Sequence, residues 1–466
     1  MTRATLAAVA VGLASCAAPS APGLPERDAE RPNVIVIVTD DQRADALSAA
    51  GNAVIETPAL DALAADGTRF TNGYVTTSIC AVSRASILSG QYARRHGVTD
   101  FATGFSAEQI RDTYLARFEA AGYVTGFVGK WGLGGALPDT LVDVWHGFGG
   151  QGSYAATDAD GESVHLTRLL ERQAVGFLRE AAAQRAPFHL SISFKAPHVE
   201  DPNRFPSDPA FDALYAGVPI PPPADTAYVR TESLPAFGFA DNAREEGRAR
   251  WRVRFATDSL RQENVRRYYR LVAGVDRAVA AIRAELERLG VAERTVVVFT
   301  SDNGFFLGEH GLAGKWYGHQ ESVRVPLLIF DPRSPASGQV RDEIALNIDV
   351  APTVLDLAGL AVPAGMQGQS LRPLVWGEAV PWRTEFFYEH LFGYDGRIPR
   401  TEGVIGERFS YLRYVDPEPA VETLFDHAVD PTESVDWTRH LDARPALADT
   451  LAALRQRWAR YRDALR

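Results

Sequence analysis

Cysteine is almost absent from this 466-residue chain, which has only Cys16 and Cys80. Two separated thiols exclude a disulfide-built scaffold, and no Cys/His cluster has zinc-like spacing. Long apolar runs are scarce as well. The one near the amino terminus is too short to cross a bilayer, for which about 20 apolar residues are required. Basic charge is in deficit: 48 Lys and Arg stand against 59 Asp and Glu, giving a net charge of −11 and a pI near 5.5. That balance argues against general nucleic-acid binding, which needs a basic face. It also repels polyanions at long range, so any anion pocket must gather its own Arg and Lys. No internal repeat occurs at solenoid or propeller spacing.

What the first residues do contain is an early Arg3, a short apolar stretch and the sequence Leu13-Ala14-Ser15-Cys16. That ending resembles the lipobox of bacterial lipoproteins, with residues 1–16 as signal peptide and Cys16 as the lipidated first residue. An ordinary signal peptide cleaved near Ala18 is the other reading. Residues 17–32, rich in Ala and Pro, then form a tether. The expectation is an exported lipoprotein, anchored in a membrane and facing the periplasm or cell surface.

From Asn33 onward, β-branched runs alternate with helical patterns. Residues 33–38, 122–129, 188–194, 295–300 and 325–330 have the continuous apolar character of strands buried on both faces. Helices are expected at 58–66, 106–121, 163–184, 263–289 and 349–358. The alternation predicts an α/β fold, with a large mostly parallel sheet sandwiched by helices over 33–360. The Pro- and Gly-containing stretch 200–250 reads as a surface excursion. Residues 361–466, with EFFYEH, FSYLRYV and a final helix at 444–465, predict a smaller C-terminal α+β subdomain.

In open α/β sheets, ligands bind outside the carboxyl ends of the strands. Asp40 and Asp41 follow the first strand, Lys130 the second, His198 the third, and Asp302 with Asn303 the fourth. Asp40, Asp41, Asp302 and Asn303 are oxygen donors suited to a hard cation such as calcium or magnesium. An Asp-Asp pair after a strand can also be a simple turn or helix cap. Cys80, entering a helix with Arg84 one turn on, is either an activated thiol or a buried small hydrophobe.

The run Cys80-Ala81-Val82-Ser83-Arg84, followed by Leu88-Ser89-Gly90, resembles the sulfatase signature Cys-x-Pro-x-Arg with its Leu-x-Thr-Gly segment. DDQRAD at 40–45, GKWGLG at 129–134, APH at 196–198, SDNG at 301–304 and GKW at 314–316 match other sulfatase blocks in order. The resemblance is to type I sulfatases of the alkaline-phosphatase-like superfamily, and it makes 33–360 the catalytic domain. It implies that Cys80 is oxidised to formylglycine by a formylglycine-generating enzyme. It further implies that Asp40, Asp41, Asp302 and Asn303 hold calcium (magnesium being the lesser choice), with the modified Cys80 facing the ion. Arg84, Lys130 and Lys315 would neutralise the sulfuryl oxygens, and His198 would help protonate the leaving alcohol.

Two departures stand out. Val82 replaces the signature proline, and Gly132 replaces the histidine of Gly-Lys-Trp-His, which assists the second half-reaction. Either another base, His310 or His319, takes its place or the second half-reaction is slower; in the second case a histidine restored at 132 is expected to speed turnover if the pocket has room. The segment from 308 resembles carbohydrate sulfatases, including N-acetylglucosamine-6-sulfatases, so the implied substrate is a sulfated carbohydrate or an aryl sulfate. His319 and Arg324 would line its subsite, with His310 close by. Trp131 and Trp316 are either aromatic walls or core, and the Arg-rich stretch 244–270 is either a glycan grip or a solvated helix. Two other functions fit the same residues: a phosphodiester or phosphonate monoester hydrolase of the superfamily, and a non-catalytic glycan-binding pseudoenzyme.

Overall fold

The computed structural model describes residues 31–184, 186–200, 203–223, 246–416 and 419–465. Cys16 and the signal and tether assigned around it lie outside the described residues, as do positions 224–245 of the expected excursion.

The strand Asn33–Asp40 is buried along its whole length. Val34, Val36 and Val38 enter one hydrophobic layer, while Ile35 and Ile37 enter the other. A strand covered on both faces has no solvent side, which is why its sequence is an unbroken apolar run. It lies near the centre of an eight-stranded sheet. In spatial order the strands are Gln339–Arg341, Thr68–Phe70, Leu327–Phe330, Thr295–Ser301, Asn33–Asp40, Phe188–Pro197, Val124–Lys130 and Val144–Phe148. Only Leu327–Phe330 runs against the rest. Helices Pro58–Asp66, Leu166–Ala182 and Asp258–Arg288 cover one face of the sheet. Cys80–Ser89, Tyr114–Ala120 and Val350–Leu357 cover the other.

Local chemistry shifts several expected boundaries. The helix expected at 106–121 is two, Ala107–Arg111 and Tyr114–Ala120, because the Thr113 side chain caps the second by accepting from Ala116 N–H. The helix expected from 163 starts at Leu166, since Ser163–His165 pairs as a strand with Ala155–Thr157. The long helix starts at Asp258, where Thr257 caps it.

Beyond the main sheet, Glu385–His390, Thr401–Gly406, Phe409–Tyr414 and Val421–Asp426 form a four-stranded antiparallel meander. Period-two alternation gives it two apolar faces. Tyr411 and Leu424 meet Leu447, Leu451 and Leu454 of the helix Ala446–Ala464. Leu412 and Tyr414 share the opposite cluster with Tyr74, Val82 and Trp316. The meander is thereby packed against the segment that leads into the Cys80 helix.

Candidate active site

Four neighbouring parallel strands, Thr295–Ser301, Asn33–Asp40, Phe188–Pro197 and Val124–Lys130, bring their carboxyl ends to one rim. Asp302 and Asn303, Asp40 and Asp41, His198 and Lys130 stand along it. Asp41 adopts φ 71°, an unusual value for a residue with a side chain. Its N–H donates to Asp302 Oδ1 at 3.1 Å and its carbonyl accepts from Tyr268 at 2.7 Å, which holds the turn.

The helix Cys80–Ser89 points its amino terminus at this rim, with Cys80 as its first residue and only 1% exposed. Helix termini of this polarity favour anions. Arg84, one turn further, lies on the same face. Its Nε donates to Asp302 Oδ2 at 2.8 Å, its Nη2 lies 3.5 Å from Asp40 Oδ2, and its Nη1 donates to the Lys130 carbonyl and to Ser193 Oγ. Lys130 Nζ donates to Asp40 Oδ2 at 2.5 Å and to Gln151 Oε1 at 2.7 Å. Lys315 Nζ donates to Asp41 Oδ1 at 2.5 Å and lies 3.8 Å from Cys80 Sγ.

Among the described residues, three buried oxygens here find no hydrogen-bond partner: Asp40 Oδ1, Asp41 Oδ2 and Asn303 Oδ1. Leaving such atoms unsatisfied costs about 1–3 kcal/mol each. Asp40, Cys80 and Asp302 offer ligand atoms within 4.8 Å of one another, as do Asp40, Asp41 and His198. Burial and the Asp40 charge push the Asp302 carboxyl up to about 7 against the pull of Arg84. Burial would raise Asp40 too, but Lys130, His198, Arg84 and Lys315 prevail and hold it well below the usual carboxylate range. Carboxylate and amide oxygens left unsatisfied at one point fit a hard cation.

His198 Nδ1 lies 2.5 Å from the Val199 carbonyl, and a carbonyl can only accept, so Nδ1 carries the proton. Nε2 faces Asp41 Oδ2 at 3.5 Å. Burial pulls the ring down to about 3 despite the two carboxylates, so it is neutral near pH 7. Burial also opposes charge on Lys315, but Asp41 and Cys80 outweigh it and raise the ammonium above its ordinary value.

A cavity of about 470 Å³ opens onto Cys80, His198 and Lys315. His310, His319 and Arg324 do not line it. Both histidines are fully buried, with rings 4.7 Å apart, beside Phe306 and Phe425. Arg324 lines a separate cavity with Arg43 and Arg69, and donates to the Thr71 carbonyl. Trp131 is core, meeting Phe127 edge-on and Trp145 at a tilt, whereas Trp316 lines the Cys80 cavity. In the Arg-rich stretch, Arg250 reaches that cavity, while Arg261, Arg266 and Arg267 pair with nearby Asp258 and Glu263.

Lys195 and Gln151 belong to the cavity wall although no motif announces them. Lys195 Nζ donates to the carbonyls of Gln151 and Gly152, fixing the turn from which Gln151 reaches Lys130. One signal was available: the chain contains three lysines, and Lys130, Lys195 and Lys315 are all buried at this site.

The sulfatase family's model matches residues 32–360, and that of the N-sulphoglucosamine sulphohydrolase C-terminal region matches 308–462. An N-acetylglucosamine-6-O-sulfatase of Bacteroides thetaiotaomicron is 29% identical over 91% of this chain and 85% of its own. A protein solved in complex with its substrate D-glucosamine-2-N,6-O-disulfate superposes with a TM-score of 0.79 at 26% identity, over 93% of this chain and 99% of that one. A phosphonate monoester hydrolase from Silicibacter pomeroyi shares the fold, with a TM-score of 0.73 at 24% identity over 94% and 96% of the two chains. The family match spans every strand end that builds the rim, and the chain belongs to the sulfatases, enzymes that hydrolyse sulfuric esters.

Proposed function

We propose that this sulfatase acts on a sulfated carbohydrate, with a formylglycine made from Cys80 and a calcium ion held by Asp40, Asp41, Asp302 and Asn303. The observation that carries the reading is the set of unsatisfied buried oxygens on Asp40, Asp41 and Asn303 beside Cys80 and Lys315. Bound there, the ion would supply positive charge to a sulfuryl group, and the hydrated aldehyde would supply two hydroxyls on one carbon. Lys315 and Arg84, both held charged, stabilise the sulfuryl oxygens, and the Cys80 helix terminus adds its dipole. Lys130 keeps Asp40 in place. His198 moves a proton at Nε2, its ring fixed through Val199. The carbohydrate class is supported by relatives that act on glucosamine sulfates.

Maturation then requires a formylglycine-generating enzyme. Export and lipid anchoring through Cys16 rest on the sequence of residues 1–32 alone; among the described residues, no helix is long and apolar enough to cross a membrane.

The test is mass analysis of the tryptic peptide 70–84 from active protein, with turnover of glucosamine 6-sulfate and of phosphate esters before and after chelation. A peptide shifted from thiol to aldehyde mass, and sulfate release lost on chelation, are expected. Full activity with an unmodified Cys80, or after complete metal removal, overturns the reading. Faster phosphate than sulfate ester turnover reassigns the enzyme to the phosphonate hydrolase side of the superfamily.

A further inference from the structure

The cavity above Cys80 is lined by two kinds of group: polar ones, among them Gln151, Lys195, His198, Arg250 and Lys315, and the apolar Phe101, Trp316, Phe392, Tyr394 and Ile398. Large apolar groups at a surface cost free energy unless something covers them. Here Phe101 is 41% exposed, and Tyr394, with the Arg397 guanidinium 5.2 Å from its ring centre, is still 40% exposed.

The rings brace one another. Phe101 meets Phe392 perpendicularly at 5.4 Å, and Phe392 stacks on Tyr394 at 5.7 Å. Tyr394 and Asp395 both take positive φ, 41° and 54°, in the turn between two strands of the meander. Consecutive side-chain-bearing residues in that region are strained, and such strain gathers at ligand clamps. The segments come from opposite parts of the chain, so the patch is assembled by tertiary packing and not by a local apolar run.

We propose that Phe101, Phe392 and Tyr394 form a stacking subsite for the apolar C–H face of a pyranose ring in the sulfated substrate. A pyranose carries both kinds of surface: hydroxyls for the polar lining groups, and ring C–H groups for the aromatic ones. This inference rests on the proposed carbohydrate reading and places the sugar ring within it.

The test uses the full chain carrying Cys80→Ala, which binds without turning over. Its affinity for a methyl glycoside of glucosamine 6-sulfate is measured by calorimetry, with and without Phe392→Ala and Tyr394→Ala. Loss of two aromatic contacts should weaken binding about tenfold or more. The thermal midpoint of the doubly substituted chain should match that of Cys80→Ala alone, and in the Cys80-containing enzyme the same two substitutions should raise KM for the pyranoside more than they lower kcat, which excludes general damage to the site. Unchanged sugar affinity overturns the subsite. So does wild-type failure to bind the pyranoside while an aryl sulfate binds tightly. Loss of turnover with every sulfate ester in the wild type would strike the proposed function instead, which separates the two failures.

Discussion

Gly132 occupies the position where, by the resemblance of the GKWG run, many sulfatases carry a histidine, and its surroundings decide what the replacement means. Its φ is +84°, and a Cβ there would stand 2.5 Å from Arg84 Cδ and 3.2 Å from Arg84 Nε. Any side chain at 132 must therefore adopt a disfavoured backbone and displace the guanidinium that binds Asp302 and Asp40. The room that would let a restored histidine speed turnover is absent. Gly132→Ala should lower kcat at least tenfold, because Arg84 loses its place, and Gly132→His should fare no better. Equal or faster steady-state turnover in either variant would show that Arg84 tolerates the shift. The same reasoning bears on the second half-reaction. His310 and His319 do not line the Cys80 cavity, so on the proposed mechanism neither is placed to supply the missing base. General-base assistance is worth about 10²–10⁴-fold. In rapid-mixing experiments with a chromogenic sulfate ester, a burst of released alcohol should precede slow steady turnover. Absence of a burst would assign the base to a group already on the cavity, of which His198 Nε2 is the best placed.

Between elements, the decisive joint is where the meander meets the turn that carries Asp302 and Asn303. The short helix Gln320–Val323 backs that turn, accepting from Gly304 N–H at 2.9 Å and Phe305 N–H at 2.7 Å. Glu433 in turn accepts from Gln320 N–H at 3.0 Å and pairs with His427 Nε2 at 2.8 Å. Burial alone would raise Glu433, but its bond to His427 prevails and holds the carboxyl at about 2. Burial would lower His427, but Glu433 prevails and holds the ring above its usual value. The Glu433 contribution is present above its ordinary 4.5 and is lost as pH falls toward 2. The His427 contribution is full below its ordinary 6.5 and is lost as pH rises through its raised folded value. Glu433→Gln should therefore cost most between about pH 4.5 and 6.5, by about 2 kcal/mol, the scale of a buried charge-assisted bond. Denaturant midpoints for both proteins across pH 3–9 check the window; a constant difference would remove the pair from the joint. None of this joint could be read from the residues, since it depends on where the tail packs. The four rim strands could be read, because a parallel strand buried on both faces leaves a continuous apolar run with polar groups at its end. The edge strands Thr68–Phe70 and Gln339–Arg341 are three residues each and leave no such signature. The aromatic wall was equally silent, being joined from position 101 and positions 392–394.

For the whole molecule, folding and loading of the site are a single problem. Cys80 and Asp41 are 1% exposed, and Asp40, Asp302 and Asn303 are fully buried. An enzyme that oxidises the Cys80 thiol needs access to it, so the proposed modification has to precede closure of the fold. The proposed ion behaves oppositely: its ligands come from residues 40–41 and 302–303, far apart in sequence, so the unfolded chain offers no comparable site. A ligand that binds only the native state stabilises it by RT ln(1 + [L]/Kd), about 2.7 kcal/mol at a hundredfold excess over Kd. Calcium should accordingly raise the thermal midpoint of the chelated protein in a concentration-dependent way, even for Cys80→Ala, which cannot turn over. Asp302→Asn keeps the side-chain shape but removes one of the charges that the ion requires. Its midpoint should lie below the wild type already under chelation, because the amide turns a donor toward Arg84 Nε or Asp41 N–H, and the gap should widen as calcium is added. That divergence is the signature of a ligand, because a residue of purely structural importance would shift both curves equally. If the two titrations run parallel, Asp302 does not hold the ion and its place in the proposed site is lost.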